Sequence, residues 1–296
     1  MNYDKKCKWH KSCGYDFCHG EGICPEFEKG KSPKEAACAS RGRWGGWNRR
    51  GGEEMLELNR IYNMDCIEGM KQLDNGSVDL IITSPPYNLG KTHHTGNNRF
   101  KSYSQYNDDM PEELYQQWQI AILNECHRVL KTEGSMWYNH KNRIKNGVQI
   151  TPYEWLLQTD FVIKQEIVWF NGSQNFDKCR FYPMTERVYW LAKSPKTKMF
   201  NAINHHDVFD TKDWPPVGTK GKFKRAFPEK MVEDILSCFP DAKVVLDPFM
   251  GSGTTAIACI NTNRNYIGFE IDPDYYEAAL ERMRIHMQQQ TIFELL

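Results

Sequence analysis

The 296-residue chain predicts an α/β fold built on a mostly parallel, doubly wound sheet. Two observations carry that expectation. Beyond about Leu58, short apolar stretches alternate with amphipathic stretches of helical length, and this alternation suits strands covered by helices on both faces. Two of the apolar stretches also run into unusual turns, "TSPPYN" at residues 83–88 and "DPFMGSGTT" at residues 247–255.

The elements follow in chain order. "SVDLIIT" reads as a buried strand ending at Thr83. "PEELYQQWQIAILNECHRVL" has helical period, with Leu114, Trp118, Ala121, Ile122 and Val129 on its apolar face. "GSMWYNH", "FVIKQEIVWF" and "ERVYWLAK" read as strands, with a helix near Pro152 to Gln158. Trp118 and Trp137 are expected in the core. Residues 194–226 have no clear period, and a stretch that long is usually functional or disordered. From Pro228 the alternation resumes through "EKMVEDIL", "KVVLD", "TTAIACI" and "NYIGFE" to about Gln290. Residues 1–52 are rich in Cys, Gly and Lys and form a separate basic extension, with the main domain at 53–296.

The hydrophobic fraction of 40% and charged fraction of 26% are ordinary for a globular protein. No apolar run approaches the roughly 20 residues of a membrane helix, and the N-terminus lacks the apolar stretch of a secretory signal. A cytoplasmic protein without a membrane partner is expected, its ten cysteines mostly reduced. Net charge is zero but unevenly spread. Residues 171–230 hold twelve Lys or Arg against six Asp or Glu, and residues 1–52 hold eleven against six. Two basic segments on a neutral body are compatible with a polyanion bound locally.

In "TSPPYN", Pro85 and Pro86 each fix φ and remove a backbone donor. Pro85 also forces Ser84 into an extended conformation. The result is a stiff ledge carrying the Ser84 hydroxyl, backbone carbonyls and the flat Tyr87 ring, which suits a planar group with N–H donors. In "DPFMGSGTT", Gly251 and Gly253 let the backbone approach a ligand, and the following helix points its amides at it. Seventeen residues past Gly253, the strand "NYIGFE" ends in Glu270, placed to accept from ribose hydroxyls. The third glycine of the dinucleotide fingerprint is absent, so hydride transfer is the weaker reading of a nucleoside-cofactor site.

Together the two turns resemble the motifs of DNA amino-methyltransferases that use S-adenosyl-L-methionine. Ser84, Pro85, Pro86 and Tyr87 look like the catalytic (Asp/Asn/Ser)-Pro-Pro-(Tyr/Phe) motif. Asp247, Pro248, Phe249, Gly251, Gly253 and Thr254 look like the cofactor motif. "AFPEKMVEDIL", with Phe227, resembles the helix that helps close the cofactor pocket, and "NMDC", with Asp65, the acidic segment near adenine. The catalytic motif precedes the cofactor motif, the order of the family's β-class. That order implies a circularly permuted Rossmann-like methyltransferase fold, with double-stranded DNA as partner and a cognate restriction nuclease as a further one. Residues 171–226 occupy the place of the target-recognition insert, where His205, His206, Trp214 and Lys222 are candidate base readers.

An exocyclic amine is a poor nucleophile because its lone pair is delocalised into the ring. Acceptors at Ser84 Oγ and the Pro85 carbonyl would let it pyramidalise, with Tyr87 stacked on a flipped base. The chain has no Pro-Cys pair, which excludes cytosine-C5 methylation. Serine at the motif's first position leans to N4 of cytosine, whereas Asn88 resembles the N6-adenine group. An RNA or protein-amide methyltransferase and a non-catalytic DNA-binding protein are the rival readings. In the N-terminal extension, Cys7, Cys13, Cys18 and Cys24 are separated by five, four and five residues. In a reducing compartment, clustered thiols suit either a tetrahedral zinc or free thiols on a mobile arm.

Overall fold

An eight-stranded sheet forms the middle layer of the computed structural model, which describes residues 56–89, 108–172, 179–202, 205–213 and 227–295. All of them belong to one unit, Leu56–Leu296. The cysteines at positions 7, 13, 18 and 24 lie outside the described residues, as do Trp214 and Lys222. Among the described residues no helix is long and apolar enough to cross a membrane.

The strands are β1 (Arg60–Tyr62), β2 (Val78–Thr83), β3 (Leu130–His140), β4 (Arg143–Lys145), β5 (Val148–Ile150), β6 (Val162–Phe170), β7 (Thr185–Ala192), β8 (Val208–Asp210), β9 (Val244–Asp247) and β10 (Asn265–Phe269). The helices are α1 (Cys66–Lys71), α2 (Glu112–Val129), α3 (Tyr153–Leu156), α4 (Glu229–Ser237), α5 (Thr254–Asn261) and α6 (Pro273–Leu295). The sheet order is β1-β10-β9-β2-β3-β7-β6-β8. Neighbours run parallel except around β7, which is antiparallel to both β3 and β6. Strands β4 and β5 form a separate hairpin. Its turn, Asn146-Gly147, has φ of 51° and 81°, the left-handed pair that such two-residue hairpins require.

Strand alternation divides the core in two. Leu80, Ile82, Trp137, Trp190 and Val245 face α4, α5 and α6. Ile81, Met136, Tyr138, Leu191 and Leu246 face α1, α2 and α3. The chain leaves β9 through α5 towards β10, and leaves β2 through α2 towards β3, in opposite directions across the sheet. The C-terminal ends of β9 and β2 therefore diverge at a topological switch point, where open α/β sheets form a crevice for ligands. The proline turn follows β2 and the glycine turn follows β9.

Two expectations need correction. The buried face of α2 consists of Tyr115, Gln119, Ile122, Leu123, Cys126 and Val129. Leu114 and Ala121 are exposed and Trp118 is half-buried. The stripe is rotated because Tyr115 and Gln119 find buried hydrogen-bond partners: Gln119 Nε2 donates to Tyr115 Oη, and Tyr138 Oη donates to Gln119 Oε1. Residues 194–226 are likewise not irregular throughout, because β8 lies within them and pairs with β6; β7 is the strand expected at "ERVYWLAK". Trp137 is in the core as expected, 4% exposed.

Candidate functional site

The proline ledge is held by side chains from three other elements. Ser84 Oγ lies 2.8 Å from Tyr87 Oη, and the Tyr87 hydroxyl donates to Glu186 Oε2 on β7 at 2.9 Å. Asn139 Nδ2, at the end of β3, lies within 3.2 Å of Ser84 Oγ, 2.7 Å of Tyr87 Oη and 3.0 Å of Glu186 Oε2. Because an ionised carboxylate only accepts, Glu186 dictates which end of the Asn139 amide faces it. Asn139 Oδ1 is left buried with no hydrogen-bond partner among the described residues. An orphaned buried acceptor is costly, and it fits a site built to receive a donor.

Beneath the ledge, Tyr115 Oη lies 2.7 Å from the Pro86 carbonyl and 2.7 Å from His140 Nε2. The Pro86 carbonyl is thus engaged by the protein. His140 is fully buried, and burial followed by the nearby Arg143 charge pushes its pKa down to about 3. Its Nδ1–H faces the Lys141 carbonyl at 2.8 Å, so neutral His140 turns an Nε2 lone pair to Tyr115, whose single hydroxyl hydrogen is shared between His140 Nε2 and the Pro86 carbonyl. The Tyr87 and His140 rings are 4.7 Å apart. Asn88 has φ of 53°, and its amide is spent on the Met110 backbone, accepting from N at 2.7 Å and donating to O at 2.9 Å.

The glycine turn has matching rigidity. Gly251 and Gly253 have φ of 52° and 80°, a region that side chains with a Cβ avoid. Met250 seats the turn on β10: its N–H donates to the Phe269 carbonyl at 2.8 Å, and its side chain fills the space that a Cβ at Gly268 would occupy. Arg282 on α6 donates to Ser252 O and Oγ, to Thr254 Oγ1 and to Glu229. Glu270 is 9% exposed, and each of its oxygens accepts one backbone N–H, from Gly251 at 2.8 Å and Asp272 at 2.9 Å. Burial nonetheless pushes its pKa up to about 7. Two N–H donors leave about half of a carboxylate's acceptor capacity unused, which fits a vicinal diol.

The two turns are joined by one buried carboxylate. Asp247 Oδ1 accepts from Thr83 Oγ1 at 2.7 Å and from Phe249 N at 3.0 Å, and Oδ2 accepts from Thr255 Oγ1 at 2.6 Å. Burial pushes its pKa up to about 6. Asp247 therefore clamps the end of β2 to the end of β9. Asp65 is the N-cap of α1, its Oδ1 accepting from Ile67 N and Glu68 N. Pro248, next to Asp247 in the chain, is buried. Phe249 and Phe227 lie in different apolar clusters on opposite faces of the sheet; the Phe249 and Trp118 rings are tilted against each other with centroids 5.6 Å apart, and Phe227 is 7% exposed. His205 and His206 are exposed, beside Asp207 and well along the chain from the ledge.

Sequence reasoning missed Thr83, Tyr115, Asn139, Glu186 and Arg282. Thr83, Asn139 and Glu186 had a readable signal, a polar residue near one end of an otherwise apolar strand. Tyr115 and Arg282 had none.

The profile of the N6/N4 DNA methylase family matches residues 78–281, from β2 into α6. The chain belongs to this DNA methylase family. Among curated members, the Type II methyltransferase M.BglII of Bacillus subtilis is 31% identical over 76% of this chain and 68% of its own. The DNA adenine methyltransferase YhdJ of Escherichia coli (strain K12) is 29% identical over 77% of this chain and 84% of its own. Solved structures of the same fold include the PvuII DNA methyltransferase (cytosine-N4-specific), with a TM-score of 0.61 at 20% identity over 76% of this chain and 86% of that one. The M1.HpyAVI–SAM complex has a TM-score of 0.52 at 24% identity over 76% of this chain and 98% of that one. Among the described residues of this DNA methylase, no group of three or more His, Cys, Asp or Glu could hold a metal ion.

Proposed function

We propose that the protein methylates an exocyclic amino group of a base flipped from double-stranded DNA, with N4 of cytosine favoured over N6 of adenine. The observation that carries this reading is the Thr83–Asp247 bond, which holds the proline ledge and the glycine turn side by side at the switch point. S-Adenosyl-L-methionine, when bound, supplies an electrophilic sulfonium methyl. Glu270 takes the ribose hydroxyls on its unused acceptor sites, and the Gly251–Gly253 turn with Thr254 lets the cofactor approach the backbone. Asp65, Phe227, Pro248 and Phe249 complete the cofactor side.

Ser84 Oγ and the Pro85 carbonyl accept from the target amine and hold it for in-line attack. The Tyr87 ring stacks on the flipped base. Serine, rather than aspartate, at the first motif position supports cytosine, and the engagement of Asn88 with Met110 removes its side chain from base reading. The relatives' names divide between the two bases. The catalytic strand precedes the cofactor strand in the chain, which supports the permuted class. The basic segments at 1–52 and 171–226 would contact phosphates, and a Type II nuclease of the same site specificity would be the functional partner.

The test is transfer of labelled methyl to DNA, digestion to nucleosides and identification of the product by mass. N4-Methylcytosine is expected; N6-methyladenine alone overturns the choice of base. Label appearing in RNA or protein but not in DNA overturns the DNA reading. For the cysteine-rich extension, elemental analysis should find about one zinc per chain, the complement of one tetrahedral site, lost when Cys13 and Cys18 are changed to Ser. Metal-free, active protein would leave the thiols free.

A further inference from the structure

The hydrogen atoms around the ledge can be assigned by counting. Ionised Glu186 can only accept, so the single Tyr87 hydroxyl hydrogen is directed to Glu186 Oε2. The Tyr87 oxygen must then be the acceptor in its 2.8 Å contact with Ser84, and the Ser84 hydroxyl is the donor. The chain of bonds has one direction: Ser84 O–H to Tyr87 O–H to Glu186. Asn139 Nδ2 turns its two hydrogens to this group, nearest Tyr87 Oη at 2.7 Å and Glu186 Oε2 at 3.0 Å with Ser84 Oγ at 3.2 Å, and Asn171 Nδ2 holds the far oxygen of Glu186 at 3.0 Å. With its own hydrogen turned towards Tyr87, Ser84 Oγ keeps lone pairs for an incoming N–H donor.

We infer that Glu186 is the terminal proton acceptor of the methyl transfer, reached from Ser84 through the Tyr87 hydroxyl. The inference rests on reading the Ser84–Tyr87 ledge as the methyl-transfer site. As the amine attacks, an N–C bond forms to the methyl carbon and the C–S bond breaks, its electron pair staying on sulfur, which becomes a neutral thioether. The nitrogen is left positively charged, with one hydrogen too many. That proton passes to Ser84 Oγ as the Ser84 hydrogen moves to Tyr87 Oη and the Tyr87 hydrogen moves to Glu186. Glu186 ends as a neutral carboxylic acid and returns the proton to solvent when the methylated base leaves. The carboxylate that serine lacks at the head of the motif is thereby supplied from β7, and Tyr87 contributes its hydroxyl as well as its ring.

Glu186→Gln removes the proton acceptor with little change in size. Single-turnover methylation of DNA should fall at least about 100-fold, the usual worth of a positioned proton acceptor. Calorimetric affinity for S-adenosyl-L-methionine and the dissociation constant for DNA should stay within about threefold, well below one pKa unit of differential interaction. Tyr87→Phe keeps the ring and breaks the relay, so it should be slowed as well, whereas stacking alone predicts the wild-type rate. Glu186→Ala should be accelerated by added formate in a dose-dependent way, and the wild-type enzyme should not. Glu186→Asp serves as the folded control, with thermal melting recorded for every variant. A Glu186→Gln enzyme at the wild-type rate overturns the relay. So does a slow Glu186→Ala enzyme that formate fails to accelerate, because Glu186 would then be structural. Absence of methyl transfer to DNA by the wild-type protein would instead overturn the proposed function itself.

Discussion

With Glu270 on the cofactor ribose, as proposed, cofactor affinity should depend on pH, and the burial of its carboxyl sets the sign. Its carboxyl has an ordinary value of 4.5 and is pushed up to about 7 by burial, against the pull of the Gly251 and Asp272 amides. Two consequences follow with opposite signs. In the cofactor-free protein the folded pKa lies above the unfolded one, so folding takes up a proton between them. The stability associated with protonated Glu270 is present below about pH 4.5 and is lost as pH rises through about 7, roughly 3 kcal/mol in all. Hydroxyl donors on the ribose favour the ionised form, so binding releases a proton and strengthens as pH rises. With a pKa of about 7, roughly nine-tenths of Glu270 is ionised at pH 8 and one-tenth at pH 6, so the dissociation constant should weaken about tenfold between them. Calorimetry in buffers of different ionisation enthalpy should find close to one proton released per cofactor bound near pH 6. Glu270→Gln cannot titrate, so it should bind more weakly at pH 8 and lose the tenfold slope between pH 6 and 8. Identical slopes for the wild type and Glu270→Gln would refute the assignment of Glu270 to the ribose.

Ser84→Ala and Tyr87→Ala should each lower single-turnover methylation by about 100-fold or more, with the fold and calorimetric cofactor affinity retained; full activity in both would sink the ledge mechanism. Asp247→Ala strips Thr83, Thr255 and Phe249 N of a shared buried acceptor. It should cost about 2–4 kcal/mol in denaturant unfolding, and a loss below about 0.5 kcal/mol would show that the clamp is dispensable. Gly253→Ala places a Cβ at φ of 80° and 3.3 Å from Ala279 Cβ. A loss of about 1–2 kcal/mol is expected for the left-handed conformation, read as a lower Tm, and an unchanged Tm would mean that the turn relaxes freely.

Short-range chemistry made the two turns, the layered architecture and Glu270 legible in the sequence. Tandem prolines stiffen residues 84–87 wherever they are placed, and glycine is the residue that most readily adopts the left-handed turn at 251 and 253. Short apolar strands between amphipathic helices require a layered α/β fold, and Glu270 is readable because it closes such a strand after such a turn. Tertiary structure decided everything that depends on strand order. Glu186 reaches Tyr87 across 99 residues of sequence and Asn139 across 52, only because β3 lies beside β2 and β7 beside β3. Thr83 meets Asp247 across 164 residues because β2 and β9 are neighbours at the switch point. The face of α2 was misread for a related reason. Periodicity counts apolar residues, whereas Tyr115 and Gln119 turn inward because buried partners on other elements satisfy their polar atoms. Hydrogen-bond partners so distant in sequence leave no local pattern, and only folding, which sets the neighbours of each strand end, reveals them.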